Sequence, residues 1–139
     1  MMSNAKANGR PRTVLSIALW LTQGLLALFF IYAGVTKLAT PAEELAKMMP
    51  WTAQLPFLVP VTAIADLLGG LGILLPSLTR IRPRLTALAA IGLLVLQVLA
   101  LGFHAVRGET MVLPMNAVLI VLIAFVLWGR TRALPVTGR

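Results

Sequence analysis

The sequence predicts an all-α, polytopic membrane protein: an antiparallel bundle of four transmembrane helices. Three observations predict it. The 139 residues are 59% hydrophobic and only 12% charged, with a mean hydropathy of +0.93, a balance foreign to a soluble domain of this length. Four apolar runs, at about 14–38, 56–76, 85–106 and 111–129, each approach the roughly 20 residues needed to cross a hydrocarbon core. The segments between them carry breakers or charge: "ATPAEELAKMMPWTAQL", "SLTRIRPR" and "RGET". Backbone groups cannot go unpaired in lipid, so the spans are expected to be helices.

The first run follows a basic N-terminal segment, as a signal peptide would. It is far longer than the roughly 7–15 apolar residues of a signal core, and no small-x-small cleavage pattern follows it. It is expected to be an uncleaved span. The short second and third connections force neighbouring spans to be antiparallel. Residues 1–13 are expected to form a loose cytoplasmic tail, 14–130 the four-helix domain, and 131–139 a second loose cytoplasmic tail. No internal repeat or low-complexity segment stands out.

The net charge is +8. Nucleic acid is not the expected partner, because the basic residues sit in short clusters between apolar runs. They act as topology signals instead. With both termini in the cytoplasm, Lys6, Arg10, Arg12, Arg80, Arg82, Arg84, Arg130, Arg132 and Arg139 share the inner side, which is nine of the 12 basic residues. Lys37, Lys47 and Arg107 fall outside, with Glu43, Glu44 and Glu109. The longest outer loop suits either an ordered loop or a short interfacial helix, the latter with Pro41 at its start, an acidic first turn, an apolar face of Leu45, Met48 and Met49, a stop at Pro50 and an anchor at Trp51.

The fourth acid is Asp66, ten residues from both Pro56 and Pro76 and so expected near the midplane. An aspartate there costs about 2.5–3.5 kcal/mol on the insertion scale. Residues seven apart share a helical face. Gln23, Phe30 and Lys37 align on span 1 with Ala27 and Gly34 between them. Gln97 and His104 align on span 3. Asp66 shares its face with Thr62, Gly69, Gly70 and Ile73, and the glycines let another helix approach beside the carboxylate. Two arrangements stand open for Asp66. It is protonated and bonded to Gln97 or Gln23, or it is ionised and reached by Lys37 or water. Straight helices start Lys37 about 10–15 Å higher, too far for a direct bond without tilt.

The candidate ligand-binding residues are Lys37, Asp66, Gln97, His104, Asn116 and Tyr32. An intramembrane ionisable group is by default a functional hypothesis. The plainer reading makes Asp66 and Gln97 a lock between helices, Asn116 an interhelical hydrogen bond, His104 an interfacial residue, Lys37 a snorkelling anchor, and Gly24, Gly34, Gly69, Gly70 and Gly72 packing residues. No catalytic residue can be singled out: HExxH, GxSxG, P-loop and paired-carboxylate metal patterns are missing, and no metal is expected. The chain has no cysteine and one histidine, which excludes thiol redox, thiolate iron–sulfur ligation, covalent c-type haem attachment and bis-histidine haem within one chain. Any redox role needs a diffusible cofactor or a partner.

"LALFFIYAGVTKL" (26–38) followed by "IADLLGGLGILLP" (64–76) resembles the DoxX-like family of small bacterial four-helix membrane proteins. "PRLTALAAIGLLVLQVLALGFHAVRGE" (83–109) and "LPMNAVLIVLIAFVLWGR" (113–130) agree in kind and order. The family pattern has a lysine where Lys37 stands and usually a glutamate where Asp66 stands; the shorter acid here keeps charge and loses reach. The family takes its name from a subunit associated with thiosulfate:quinone oxidoreductase, and relatives are linked to membrane redox complexes or membrane-protein assembly. The resemblance therefore implies a bacterial inner-membrane protein, with redox association as the working function: a quinone-interacting subunit without a redox centre of its own, partnered by a redox enzyme. The alternative is a non-enzymatic partner or assembly factor for another membrane protein, with Asp66 as an interhelical lock. A proton-coupled carrier would require a homo-oligomer, since four short spans make no complete path.

Overall fold

The computed structural model describes the backbone of residues 2–139 and the side chains of residues 9–139. Met1 and the side chain of Lys6 lie outside what is described. Six α-helices follow in order: α1 (Met2–Ala39), α2 (Ala42–Met48), α3 (Trp51–Gln54), α4 (Leu58–Thr79), α5 (Arg84–Val106) and α6 (Leu113–Trp128). Among the described residues, four helical stretches are long and apolar enough to cross a membrane: Gly9–Ala39, Leu58–Thr79, Arg84–Val106 and Thr110–Ala133. They are the four expected spans.

α1 packs on α4, α4 on α5, α5 on α6, and α6 more lightly back on α1. The result is a square, antiparallel four-helix bundle. Its interior is a stripe from each span at three- and four-residue spacing: Leu26, Ala27 and Phe30 from α1, Ile73 from α4, Ala90 and Leu93 from α5, and Leu119, Ile123 and Val126 from α6. The opposite stripes, such as Val14, Ile17, Leu21, Leu25 and Leu28 on α1, lie open. Only 28, 28, 22 and 22% of the four apolar windows is buried inside the protein. So much exposed hydrocarbon is stable only in a bilayer.

Glycine sets the closest approach in the bundle. A Cβ at Gly34 on α1 would stand 2.6 Å from Leu67 Cγ and 2.8 Å from the Ala63 carbonyl of α4. A Cβ at Gly70 on α4 would stand 3.1 Å from the Ile31 backbone nitrogen of α1. Small residues on both helices thus let the backbones touch. Gly24, expected to pack similarly, meets nothing within 4 Å.

Several details depart from the sequence reading. Pro76 does not end the second span. α4 runs one turn further, to Thr79, and the Ser77 hydroxyl meets the Thr86 hydroxyl of α5 at 2.7 Å in that turn. The segment read as an N-terminal tail continues α1 through Pro11, because adding a turn to an existing helix is far easier than nucleating one. The C-terminal segment, expected to be loose, folds back. After a wide π-type turn at Gly129–Ala133, the Arg139 amide donates to the Arg80 carbonyl (3.0 Å). Arg80 Nε donates to the Thr137 carbonyl (2.9 Å). The interfacial helix forms as α2, with Leu45 buried but Met48 exposed. Trp51 is buried instead of anchoring at the surface, because α3 turns it inward.

Gly34→Val should drive α1 from α4 and lower stability by about 1–3 kcal/mol. Gly102→Ala, where a Cβ meets nothing within 4 Å, should not lower it, since alanine is the better helix former. Unfolding in mixed micelles of graded sodium dodecyl sulfate reads both; equal effects would refute the close-approach account.

Candidate functional site

Three polar residues of the bundle interior, Asp66, Gln97 and Asn116, gather at one depth. Ser77 and Thr86 face each other across α4 and α5. Eleven residues back from Ser77 is Asp66; eleven on from Thr86 is Gln97. Antiparallel geometry therefore sets Asp66 and Gln97 level. Asn116 of α6 joins the same layer, its Nδ2 donating to Gln97 Oε1 at 2.8 Å. All three residues are buried, Asp66 to 3% exposure.

Asp66 is bound by Lys37, not by either glutamine. Lys37 Nζ donates to Asp66 Oδ2 at 2.8 Å, with side-chain exposures of 12% and 4%. Straight helices with Asp66 at the midplane predict a gap too long for this contact. Gly34 packs level with Ala63–Leu67, so Lys37 starts only about one turn, about 5.4 Å, beyond Asp66. A four-carbon stem covers that distance. Two causes bring the pair together. α4 spans Leu58–Thr79, which puts Asp66 eight residues from one end and thirteen from the other. The glycines bring the two backbones close.

Gln23, the other glutamine within reach of Asp66 by sequence, works a separate junction. Its Nε2 donates to the Ile73 carbonyl of α4 (2.7 Å), and its Oε1 accepts from Arg130 Nε (2.8 Å) beyond α6. Asn116 Oδ1 has no hydrogen-bond partner although it is buried.

The α2–α3 segment roofs the ion pair. The Lys37 ammonium lies 5.8 Å from the centre of the Trp51 ring, within cation–π range. Trp51 meets Phe103 of α5 edge-on at 6.2 Å, and the Arg107 guanidinium lies 5.3 Å over Phe103. Arg107 then donates to Glu109 Oε1 and to Gln54 Oε1 of α3, tying roof to bundle. His104 Nδ1 is buried without a hydrogen-bond partner and lies 3.6 Å from Glu109 Oε1.

The six candidates thus divide. Lys37 and Asp66 form one pair, Gln97 and Asn116 a second pair in the same layer, and His104 sits beside the roof clasp. Tyr32 stands apart, 71% exposed on the outer face of α1. Trp51 was missed as part of the site. An aromatic just after a proline reads as a surface anchor, and only the fold turns it onto Lys37. Gln23 and Arg130 were missed as a pair because 107 residues separate them. Among the described residues, no three His, Asp or Glu side chains gather as a metal site would need.

The Arg107 hydrogen bond holds the Glu109 carboxyl below the usual glutamate value of 4.5. A carboxyl depressed on folding stabilises above its unfolded pKa, and that contribution is lost as pH falls through the folded value. Acidification below about 4.5 should therefore loosen the clasp and raise hydrogen exchange in α2–α3 relative to Glu109→Gln at each pH. Parallel exchange in the two proteins across that range would refute the clasp.

The sequence matches the profile of the DoxX-like family over residues 21–126. No curated protein and no solved structure matches the chain. The matched stretch takes in most of all four spans and contains Lys37, Asp66, Gln97, His104 and Asn116. The protein, a multi-pass integral membrane protein that lives in a lipid bilayer, belongs to the DoxX-like family.

Proposed function

We propose that the protein is a non-enzymatic membrane partner: a rigid bundle that binds or stabilises another membrane protein, with Lys37–Asp66 as an interhelical lock. One observation carries this reading. Four sets of polar side chains in the interior are engaged between elements: Lys37 with Asp66, Gln23 with Ile73 and Arg130, Ser77 with Thr86 and Asn116 with Gln97. Such bonds fix which helices pair and at what depth. The arginine-rich end that holds both termini faces the cytoplasm on this reading, in the inner (plasma) membrane of a bacterium, as the positive-inside rule favours.

A second reading rests on the unpartnered Asn116 Oδ1. A buried acceptor in the layer of Asp66 and Gln97 suits a hydroxyl donor such as a quinol. The protein would then be a quinone-interacting, redox-associated subunit whose electrons come from a partner enzyme. Lys37 and Asp66 would hold or exchange a proton at the ring oxygen.

The two readings separate on the isosteric variants Lys37→Met and Asp66→Leu. Removing one member of a buried pair costs about 3–5 kcal/mol, whereas replacing both by apolar residues is close to neutral. The lock reading expects each single variant to unfold early. The double variant should regain stability and still co-purify with the membrane protein that the wild type retains. A stable double variant that has lost a quinone carried by the wild type would sink the lock and favour the second reading.

A further inference from the structure

The two ends of the bundle differ sharply in charge. Asp66 is paired with Lys37 and Glu109 with Arg107. Glu43 and Glu44 lie in the first turn of α2, at the Lys37 end. The end that holds the termini carries Arg10, Arg12, Arg80, Arg82, Arg84, Arg130, Arg132 and Arg139 and no acidic side chain. Among the described residues, none of these arginines forms a salt bridge.

Five of these arginines line one cavity. Arg80, Arg82, Arg84, Arg130 and Arg139 surround about 900 Å³ between the α4–α5 turn and the folded-back C-terminal segment. Two of its five arginine side chains, Arg80 and Arg130, are held by hydrogen bonds. Arg80 and Arg82 both hold left-handed backbone conformations, φ 60° and 48°, which residues other than glycine adopt at some energetic cost. Thr137 fixes Arg80 through its carbonyl (2.9 Å) and hydroxyl (3.2 Å). Arg130 is fixed by Gln23 (2.8 Å) and the Leu134 carbonyl (3.0 Å), with the Trp20 ring centre 4.7 Å from its Cζ.

Each guanidinium has five N–H donors. Arg130 uses Nε and Nη1, and its Nη2 is buried with no partner. The spans bounding the cavity end at Thr79 and begin again at Arg84, so the cavity lies at the level of lipid headgroups. Its volume falls in the usual range for small-ligand sites, about 300–1,000 Å³.

We propose that this cavity binds phosphate, presented by the headgroup of an anionic phospholipid. Arginine forks match phosphate oxygens in bidentate geometry, and basic pockets between spans suit such headgroups. The bound anion supplies counter-charge that no acidic side chain gives at this end. It also clamps the C-terminal segment to the α4–α5 turn. The site lies apart from the Lys37–Asp66 layer, toward the end of the bundle that holds the termini.

Native mass spectrometry of the full chain in neutral detergent tests the proposal, with phosphatidylglycerol, phosphatidylcholine and inorganic phosphate as probes. Arg82→Gln/Arg84→Gln removes two cavity charges that make no side-chain hydrogen bond. Arg10→Gln/Arg132→Gln removes two charges at the same end but outside the cavity, and Arg84→Gln alone is the milder cavity variant. The expected result is saturable binding of one phosphatidylglycerol, preferred over phosphatidylcholine. It should weaken about thirtyfold in the double cavity variant and about fivefold in the single one, from the usual contribution of one arginine near the surface. The control should bind as the wild type does. Displacement of the lipid by inorganic phosphate supports recognition of the phosphate group itself; saturable inorganic phosphate with no saturable phosphatidylglycerol would overturn the lipid as its source. Equal weakening in the cavity and control variants, or no saturable binding by either phosphate source, would overturn it.

Discussion

The Lys37–Asp66 ion pair is mostly buried between α1 and α4, and the geometry around it follows from that constraint. An ammonium and a carboxylate in a bundle of leucine, alanine and glycine must meet directly or leave a costly charge behind. Meeting requires α1 and α4 to be close. Gly34 and Gly70 remove the side chains that would hold them apart. It also requires a register in which Lys37 starts one turn beyond Asp66, and that register carries Gln23 to the Ile73 carbonyl. The same constraint explains the roof. One face of Lys37 meets Asp66, and Trp51 covers the ammonium on another.

Around this pair the bundle is polar in layers and otherwise apolar. Asp66, Gln97 and Asn116 share one depth, while Ser77–Thr86 and Gln23–Arg130 mark a second junction nearer the termini. The layers join different neighbours: α1 to α4, α4 to α5, α5 to α6, and α6 back to α1. Lipid-like interiors give helices little reason to prefer one partner or depth. Directional hydrogen bonds between named helices supply that preference. The two ends are then free to differ: one closed by an aromatic and ion-paired roof, the other basic and open.

Much of this was legible in the sequence because the bilayer constrains it strongly. Hydrocarbon thickness fixes span length, so all four spans follow from the apolar runs. Seven-residue spacing fixes faces, so the alignment of Gln23, Phe30 and Lys37 and the role of Gly70 beside Asp66 could be read directly. Depth was not legible to one turn. Pro76 reads as a helix end, yet a proline one turn from the terminus is tolerated when the last turn is held from outside, here by Ser77 and Thr86. That shift, with close glycine packing, turned an apparently unbridgeable gap into a 2.8 Å contact. The inward turn of Trp51, the Gln23–Arg130 bond and the docked C-terminal segment depend on contacts between residues far apart in the chain, for which local pattern carries no signal.

The direct contact of Lys37 with Asp66 is the claim on which the rest turns, and the chain suits a clean measurement of it. Asp66 is the sole aspartate of the sequence, so ¹³C-aspartate labels one carboxyl, and ¹⁵N-lysine supplies the ammonium. Solid-state NMR in lipid bilayers then measures dephasing of the Asp66 carboxyl carbon by a lysine Nζ. The account predicts strong dephasing, as for a direct hydrogen bond, abolished in Lys37→Met. A carboxyl with no lysine coupling in the wild type would contradict it, and with it the register, the lock and the roof.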